Sequence, residues 1–149
     1  MGLFEAIGIA GSGLSAERIR MDVTAENLAN ADTTKAANGQ PYQRQEVVLK
    51  QAGESGFSGA LSGAIQQAES SKPTAGVEVA GIVSDTTPDQ QVYDPGNPEA
   101  DAKGYVKMPN ISTVTEMTDL ISESQSYQSD VTAMQTAKSM FTTTLGLLK

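Results

Sequence analysis

The chain has 149 residues, a formal net charge of −8, 38% hydrophobic and 5% aromatic residues, fourteen glycines, and no cysteine, histidine or tryptophan. That size suits one domain of ordinary length, yet its apolar content is too lean for a large self-sufficient core and too rich for a disordered chain. The acidic balance, with basic residues scattered, excludes phosphate neutralisation on a duplex and anchoring on anionic lipid; the missing Cys and His remove disulfides, thiolate metal sites and the commonest general base.

The first thirty residues read as an amphipathic helix. Phe4, Ile7, Gly11, Leu14, Arg18, Met21, Ala25 and Leu28 step by three and four, and only Arg18 interrupts the apolar seam. Gly8, Gly11 and Gly13 weaken this helix, each by up to about 1 kcal/mol against Ala, and permit close approach by another backbone. Turn-forming side chains at Asn30 and Asp32 should end it. The same stretch is not a cleavable secretory signal, since it lacks a basic start and Glu5 interrupts its apolar part.

The middle differs in texture. Residues 41–51 read as a strand or hairpin arm around Val47, Val48 and Leu49, and 51–71, rich in Gly, Ser and Ala, as a loop. Residues 76–84 alternate through Val77 and Val79 and read as a strand; 85–104, with Pro88, Pro95, Gly96 and Pro98, reads as loop, and 105–108 as a short strand.

The last element has the clearest pattern. Thr113 and Glu116 have capping-box spacing for a helix start. From there Met117, Leu120, Ser124, Tyr127, Val131, Met134, Lys138, Phe141, Leu145 and Leu148 keep a strict 3-4 alternation. A helix over 112–149 would be roughly 55 Å long, more than a compact domain of this size needs. Its seam therefore points to packing against other chains, with the helical ends marginal in the free subunit. The expected fold is α+β: long N- and C-terminal helices pairing as a coiled-coil-like bundle, with a small β-rich middle. The divisions fall at 1–31, 32–111 and 112–149.

Chemical motifs are few. Gly8, Gly11 and Gly13 follow no strand and lack the spacing of a phosphate loop. The segment from Gly2 to Gly11 is like membrane-active amphipathic peptides, but its seam continues at coiled-coil spacing to Leu28, which a partner helix explains better. Asp85, Asp89, Asp94, Glu99 and Asp101 lack the order of a calcium loop; acid–base work on a glycosidic bond is the sharper alternative to solvated loop charge. No serine sits in a nucleophile elbow, and Tyr105 and Tyr127 read as packing rather than ligand-stacking residues. The reading is a structural subunit and not an enzyme, with no catalytic residue, metal or cofactor.

Two stretches resemble a known family. Asn27-Leu28-Ala29-Asn30 after an N-terminal amphipathic helix is similar to the motif shared by flagellar axial proteins, the rod, hook and hook-associated subunits. The string from Tyr93-Asp94-Pro95 through Gly104-Tyr105-Val106 to Asn110 is more specific and resembles the proximal-rod members. The resemblance implies a structural subunit of the flagellar basal-body rod that transmits torque, lines the export conduit and is needed for motility. Export without signal cleavage is also implied. So are neighbours: copies of itself, other proximal rod proteins, the rod–ring adaptor, the inner-membrane ring and the export apparatus, with no nucleic acid and no membrane insertion. The implied packing residues are Phe4, Ile7, Leu14, Met21 and Leu28 on one helix. On the other they are Met117, Leu120, Tyr127, Val131, Met134, Phe141, Leu145 and Leu148. Asn27 and Asn30 are expected to fix the turn after the first helix through side chain–backbone hydrogen bonds.

Overall fold

A computed structural model describes residues 3–36, 38–52 and 76–147. In chain order these form α1 (Leu3–Ala29), β1 (Gln45–Gln51), β2 (Val77–Ser84), β3 (Gln90–Tyr93), β4 (Tyr105–Met108) and α2 (Thr113–Leu147). The architecture is α+β: two long helices and a middle of two two-stranded sheets, β1 with β2 and β3 with β4. The loop expected over 51–71 and the seam residue Leu148 fall largely or wholly outside the described residues, as does the side chain of Phe4.

Asn30 ends α1 as its chemistry predicts. Its side-chain amide donates to the Glu26 carbonyl at 2.9 Å and its own carbonyl accepts from Thr33 N at 3.0 Å, satisfying groups the last helical turn leaves open. The start of α2 departs from the capping-box expectation. Ser112, not Thr113, is the cap: its hydroxyl faces Thr115 N at 3.4 Å and its carbonyl accepts from Glu116 N at 3.0 Å. Glu116 therefore sits one place further into the helix than a capping box requires, and its side chain turns inward.

The region expected as loop over 85–104 contains a strand, β3. Its residues Gln90 to Tyr93 are all exposed and carry no apolar alternation, so periodicity had nothing to detect. Pairing with β4 makes it a strand, antiparallel with Gln90 opposite Met108 and Tyr93 opposite Tyr105. The connection is tied by its own acids. Asp101 accepts from Lys103 N at 2.8 Å and Tyr105 N at 3.0 Å, and Asp94 N donates to the Gly104 carbonyl at 2.9 Å. Gly104 has φ +80°, and an added Cβ would lie 3.0 Å from the Tyr93 ring and 3.2 Å from Pro95 Cβ. Only glycine fits there without strain.

Two compact units result, and neither follows chain order. One comprises the described residues within Met1–Arg18, Val48–Gly81 and Gln125–Lys149; the other comprises those within Ile19–Val47 and Ile82–Ser124. Each contains part of α1 and part of α2. The second holds nearly every buried side chain, including Val23, Thr24, Asn27, Ala31, Val106, Glu116 and Glu123, while among the described residues of the first only Ala16 is buried.

Candidate functional site

In the second unit the most enclosed side chains are polar. Asn27 and Glu116 are each 1% exposed. The Asn27 amide copies a strand backbone. Its Nδ2 donates to the Gln45 carbonyl at 2.8 Å, and its Oδ1 accepts from Gln45 N at 2.9 Å. The second donor reaches Glu116 Oε2 at 3.2 Å, and the Tyr42 hydroxyl donates to Oδ1 at 3.1 Å. All four hydrogen-bonding positions of the amide are thus occupied, which is what allows it to be buried.

Glu116 closes the cluster. Its Oε1 accepts from Arg44 Nε at 2.7 Å, and Arg44 Nη2 lies 3.9 Å from Asp119 Oδ2. The bond to Glu116 raises the Arg44 guanidinium above its ordinary value, against a smaller opposing effect of burial. Burial, followed by the Glu26 and Glu116 carboxylates, pushes the Tyr42 phenol upward. One heptad along α2, Glu123 is also buried; its Oε1 accepts from Thr24 Oγ1 at 3.3 Å and lies 3.5 Å from Arg20 Nη2. Each of these side chains is engaged by a neighbour within the unit.

The other unit is held differently. Ser12 Oγ donates to the Ile9 carbonyl at 2.7 Å and accepts from Val77 N at 3.1 Å. A Cβ on Gly11 would touch Met134 Cε at 3.6 Å, and one on Gly13 would lie 2.7 Å from Asp130 Oδ2. Glycine at 11 and 13 therefore lets α1 approach side chains of α2 closely.

Most of the predicted packing residues are neither fully buried nor fully exposed. Ile7, Leu14, Met21 and Leu28 are half-buried, as are Leu120, Tyr127, Val131, Met134 and Phe141, while Met117 and Leu145 are exposed. The most enclosed positions of α1 in the second unit are Val23, Thr24 and Asn27, and those of α2 are Glu116 and Glu123. The apolar stripe on each helix is thus only partly covered within the single chain. Val114, Met117 and Ile121 add a one-sided exposed apolar row, Val114 at 73%. Further along α2, the hydroxyls of Thr132, Thr136, Thr143 and Thr144 donate to carbonyls four residues back, so they need no outside partner.

The residues of the specific string build the β3–β4 hairpin. Tyr93 and Tyr105 meet edge to face with centroids 5.3 Å apart, Tyr93 being 65% exposed, and Val106 is buried beneath them on the opposite face. Asp94 and Pro95 lie in the turn, and Glu99 is tied to the Thr34 hydroxyl. Leu28 is half-buried and Ala29 exposed. Asn27, expected to fix the turn after α1, makes no side-chain bond to that turn; its partners Tyr42, Gln45 and Glu116 lie fifteen, eighteen and eighty-nine residues away, and Asn30 alone of the two plays the expected part. Sequence reasoning missed Arg20, Thr24, Arg44, Glu116 and Glu123 as a set. The seven-residue spacing of Glu116, Glu123 and Asp130 was the available signal.

Several acids at 85–101 cap their own turns: Asp85 accepts from Thr87 N at 2.9 Å and Asp94 from Gly96 N at 3.3 Å. Among the described residues no group of three or more acids is placed to hold a metal ion, and no helix is long and apolar enough to cross a membrane.

Comparison with known proteins agrees along the whole chain. Residues 7–36 match the family described as flagella basal body rod protein, and 102–147 match the C-terminal family of flagellar basal body rod FlgEFG proteins. The chain is similar to the flagellar basal-body rod protein FlgC of Yersinia enterocolitica, 44% identical over 147 residues, covering 99% of this chain and 98% of that protein. The FlgC of Bacillus subtilis is 44% identical over 144 residues, with 94% of each chain covered, and that of Borreliella burgdorferi is 36% identical over 159 residues, covering 100% and 99%.

Proposed function

This chain belongs to the FlgC family of flagellar basal-body rod proteins, and we propose that it serves as a structural subunit of the proximal rod, transmitting torque and lining the export conduit. In this reading it resides in the basal body, reaches it without signal cleavage, and is needed for flagellar assembly and motility. Its neighbours are copies of itself, other proximal rod proteins, the rod–ring adaptor, the inner-membrane ring and the export apparatus. The ends 1–31 and 112–149 do the packing, and 32–111 distinguishes this subunit from other rod proteins.

The observation that supports this reading is the apolar stripe left half-covered on both helices of the single chain. A stripe of that extent is stabilised by neighbours that remove it from water, at roughly 1.5–3 kcal/mol for each large side chain fully covered. Charge density falls where the stripe is longest. From residue 125 to 147 only Asp130 and Lys138 are charged, and from 6 to 16 none is. Neutral, small-residue helix faces suit close contact with other helices.

The test is complementation. In a strain lacking the gene, the intact chain restores swimming, and basal bodies without it stall before the rod is complete. Val131→Asp places a carboxylate in the stripe; it should leave the purified subunit soluble and abolish motility. Normal swimming by this variant at native expression would remove the stripe from the packing surface.

A further inference from the structure

The apolar repeat leaves one choice open. Met21 and Leu28 on α1 are seven residues apart, as are Leu120 and Tyr127 on α2. Sliding one helix past the other by seven residues sets apolar against apolar again, so hydrophobic burial barely distinguishes the two arrangements. Within the second unit the polar contacts do distinguish them. Asn27 meets Glu116 and, seven residues back on α1, Arg20 meets Glu123, seven residues on along α2. Numbers rise on one helix as they fall on the other, so the pair is antiparallel.

The strand β1 and the residue before it supply a ruler. Arg44 is bonded to Glu116 of α2, and the adjacent Gln45 is bonded through both backbone groups to Asn27 of α1. Neighbouring residues on an extended chain are about 3.3 Å apart, whereas a heptad slip moves a helix by about 10 Å. A slip in one direction would carry Asn27 past the start of α2 and set Glu123 against Gly13, which has no donor side chain. A slip in the other would set Asn27 against Glu123, a carboxylate again, but it would move Glu116 beyond the end of α1 and away from Arg44, so the tie through Arg44 and Gln45 is what disfavours it. Either leaves buried polar groups without the partners that compensate their desolvation.

We infer that the polar rungs Asn27–Glu116 and Arg20–Glu123, tied to the chain through Arg44 and Gln45, set the register of the antiparallel α1–α2 pair in this unit. They act by rejecting the slipped alternatives that the seven-residue apolar repeat admits.

The native chain has no cysteine, so register can be read by engineered disulfides in the full-length protein. Val23→Cys with Leu120→Cys lies between the two rungs and reports the native register; Val23→Cys with Tyr127→Cys reports a slip of one heptad. A shift of about 10 Å takes either pair outside disulfide range. In the otherwise native chain the first pair alone should close. In an Asn27→Leu/Glu116→Leu background with unchanged helical circular dichroism, the slipped product should rise several-fold and the native one fall. Should that background lose helix, Glu116→Gln/Glu123→Gln keeps the side-chain shape while removing both ionic pairings and one of the two acceptors at position 116, and a smaller rise is expected. A native-to-slipped ratio unchanged in a folded variant overturns the inference. So does a native chain that closes both pairs equally.

Discussion

Residues 19–29 of α1 and 113–124 of α2 contribute a buried amide, a buried threonine and two buried carboxylates; residues 3–18 and 125–147 of the same two helices contribute one buried alanine among those whose exposure is described. The unit containing the first pair of segments has twelve acidic and five basic side chains, so it carries −7 of the chain's −8. The other unit is close to neutral. One stretch of each helix is committed to partners within its own chain through directional polar bonds, which tolerate little displacement. The other stretch presents glycine, alanine, serine and threonine, small groups that many helix surfaces can meet. The difference teaches that a long helix need not have one role along its length. Register and fold can be specified at one end while the other is kept compatible with neighbours.

The largest expected effect strikes the polar cluster. Glu116→Ala removes the hydrogen-bond acceptor of Arg44 Nε and a partner of Asn27, leaving an amide donor unpaired and Arg44 with only its 3.9 Å pairing to Asp119. Breaking a buried pair costs about 3–5 kcal/mol, and the lower end applies because Arg44 is partly exposed and can recruit water. Urea unfolding of the purified chain should show a midpoint shift of that size. An equal change at Val131 should move the midpoint far less, since its burial is incomplete. A small effect at Glu116 would erase the contrast between the units.

The elements were largely legible in the sequence, but the division of each helix between two units was not, and that has a physical reason. The 3-4 spacing from Met117 to Leu145 marks a real helix, and Asn30 ends α1 through side chain–backbone bonds. Valine alternation identifies β2, and the short apolar run identifies β1. What was missed rests on long-range partners. Glu116 looks like a capping residue locally, and only Arg44, seventy-two residues away, makes it a buried anchor. β3 has no exposed-to-buried alternation, so only its pairing with β4 reveals it. Arg20, Thr24 and Glu123 drew no reading at all, because local sequence does not register the burial of a charge that a distant group compensates. The apolar seam was visible for the complementary reason: it is a property of one helix alone.

A second test sharpens the comparison with the opposite sign. Gly8 is helical and exposed, and a Cβ there meets nothing within 4 Å. Gly8→Ala should stabilise the free subunit by about 0.5–1 kcal/mol, because glycine in a helix loses more backbone entropy than alanine. If a neighbouring backbone packs against this position in the rod, the same variant should assemble less well despite its firmer helix. Thermal unfolding of the subunit and counts of complete basal bodies separate the two effects. Gains in both would show that the glycine is not a contact point.

The smallest effect concerns acid. Asp101 and Asp85 both belong to the charged unit, and both carboxyls are held below their ordinary value. Hydrogen bonds from Tyr105 and Lys103 amides do this for Asp101, and those from the Thr87 hydroxyl and amide do it for Asp85. A carboxyl whose folded value is depressed favours the fold above its unfolded value, and that contribution is lost as pH falls through the folded one. For both groups the window therefore lies at and below the ordinary carboxylate range, leaving the turns intact at neutral pH. Both groups are exposed, so solvent screens the effect and the expected result is local loosening. Amide exchange at Tyr105 should quicken in acid relative to an unstructured peptide under the same conditions, while the Val77 amide bonded to Ser12, whose acceptor does not titrate, should not. Equal loosening at the two amides would mean that the charge asymmetry between the units has no bearing on how firmly each is held.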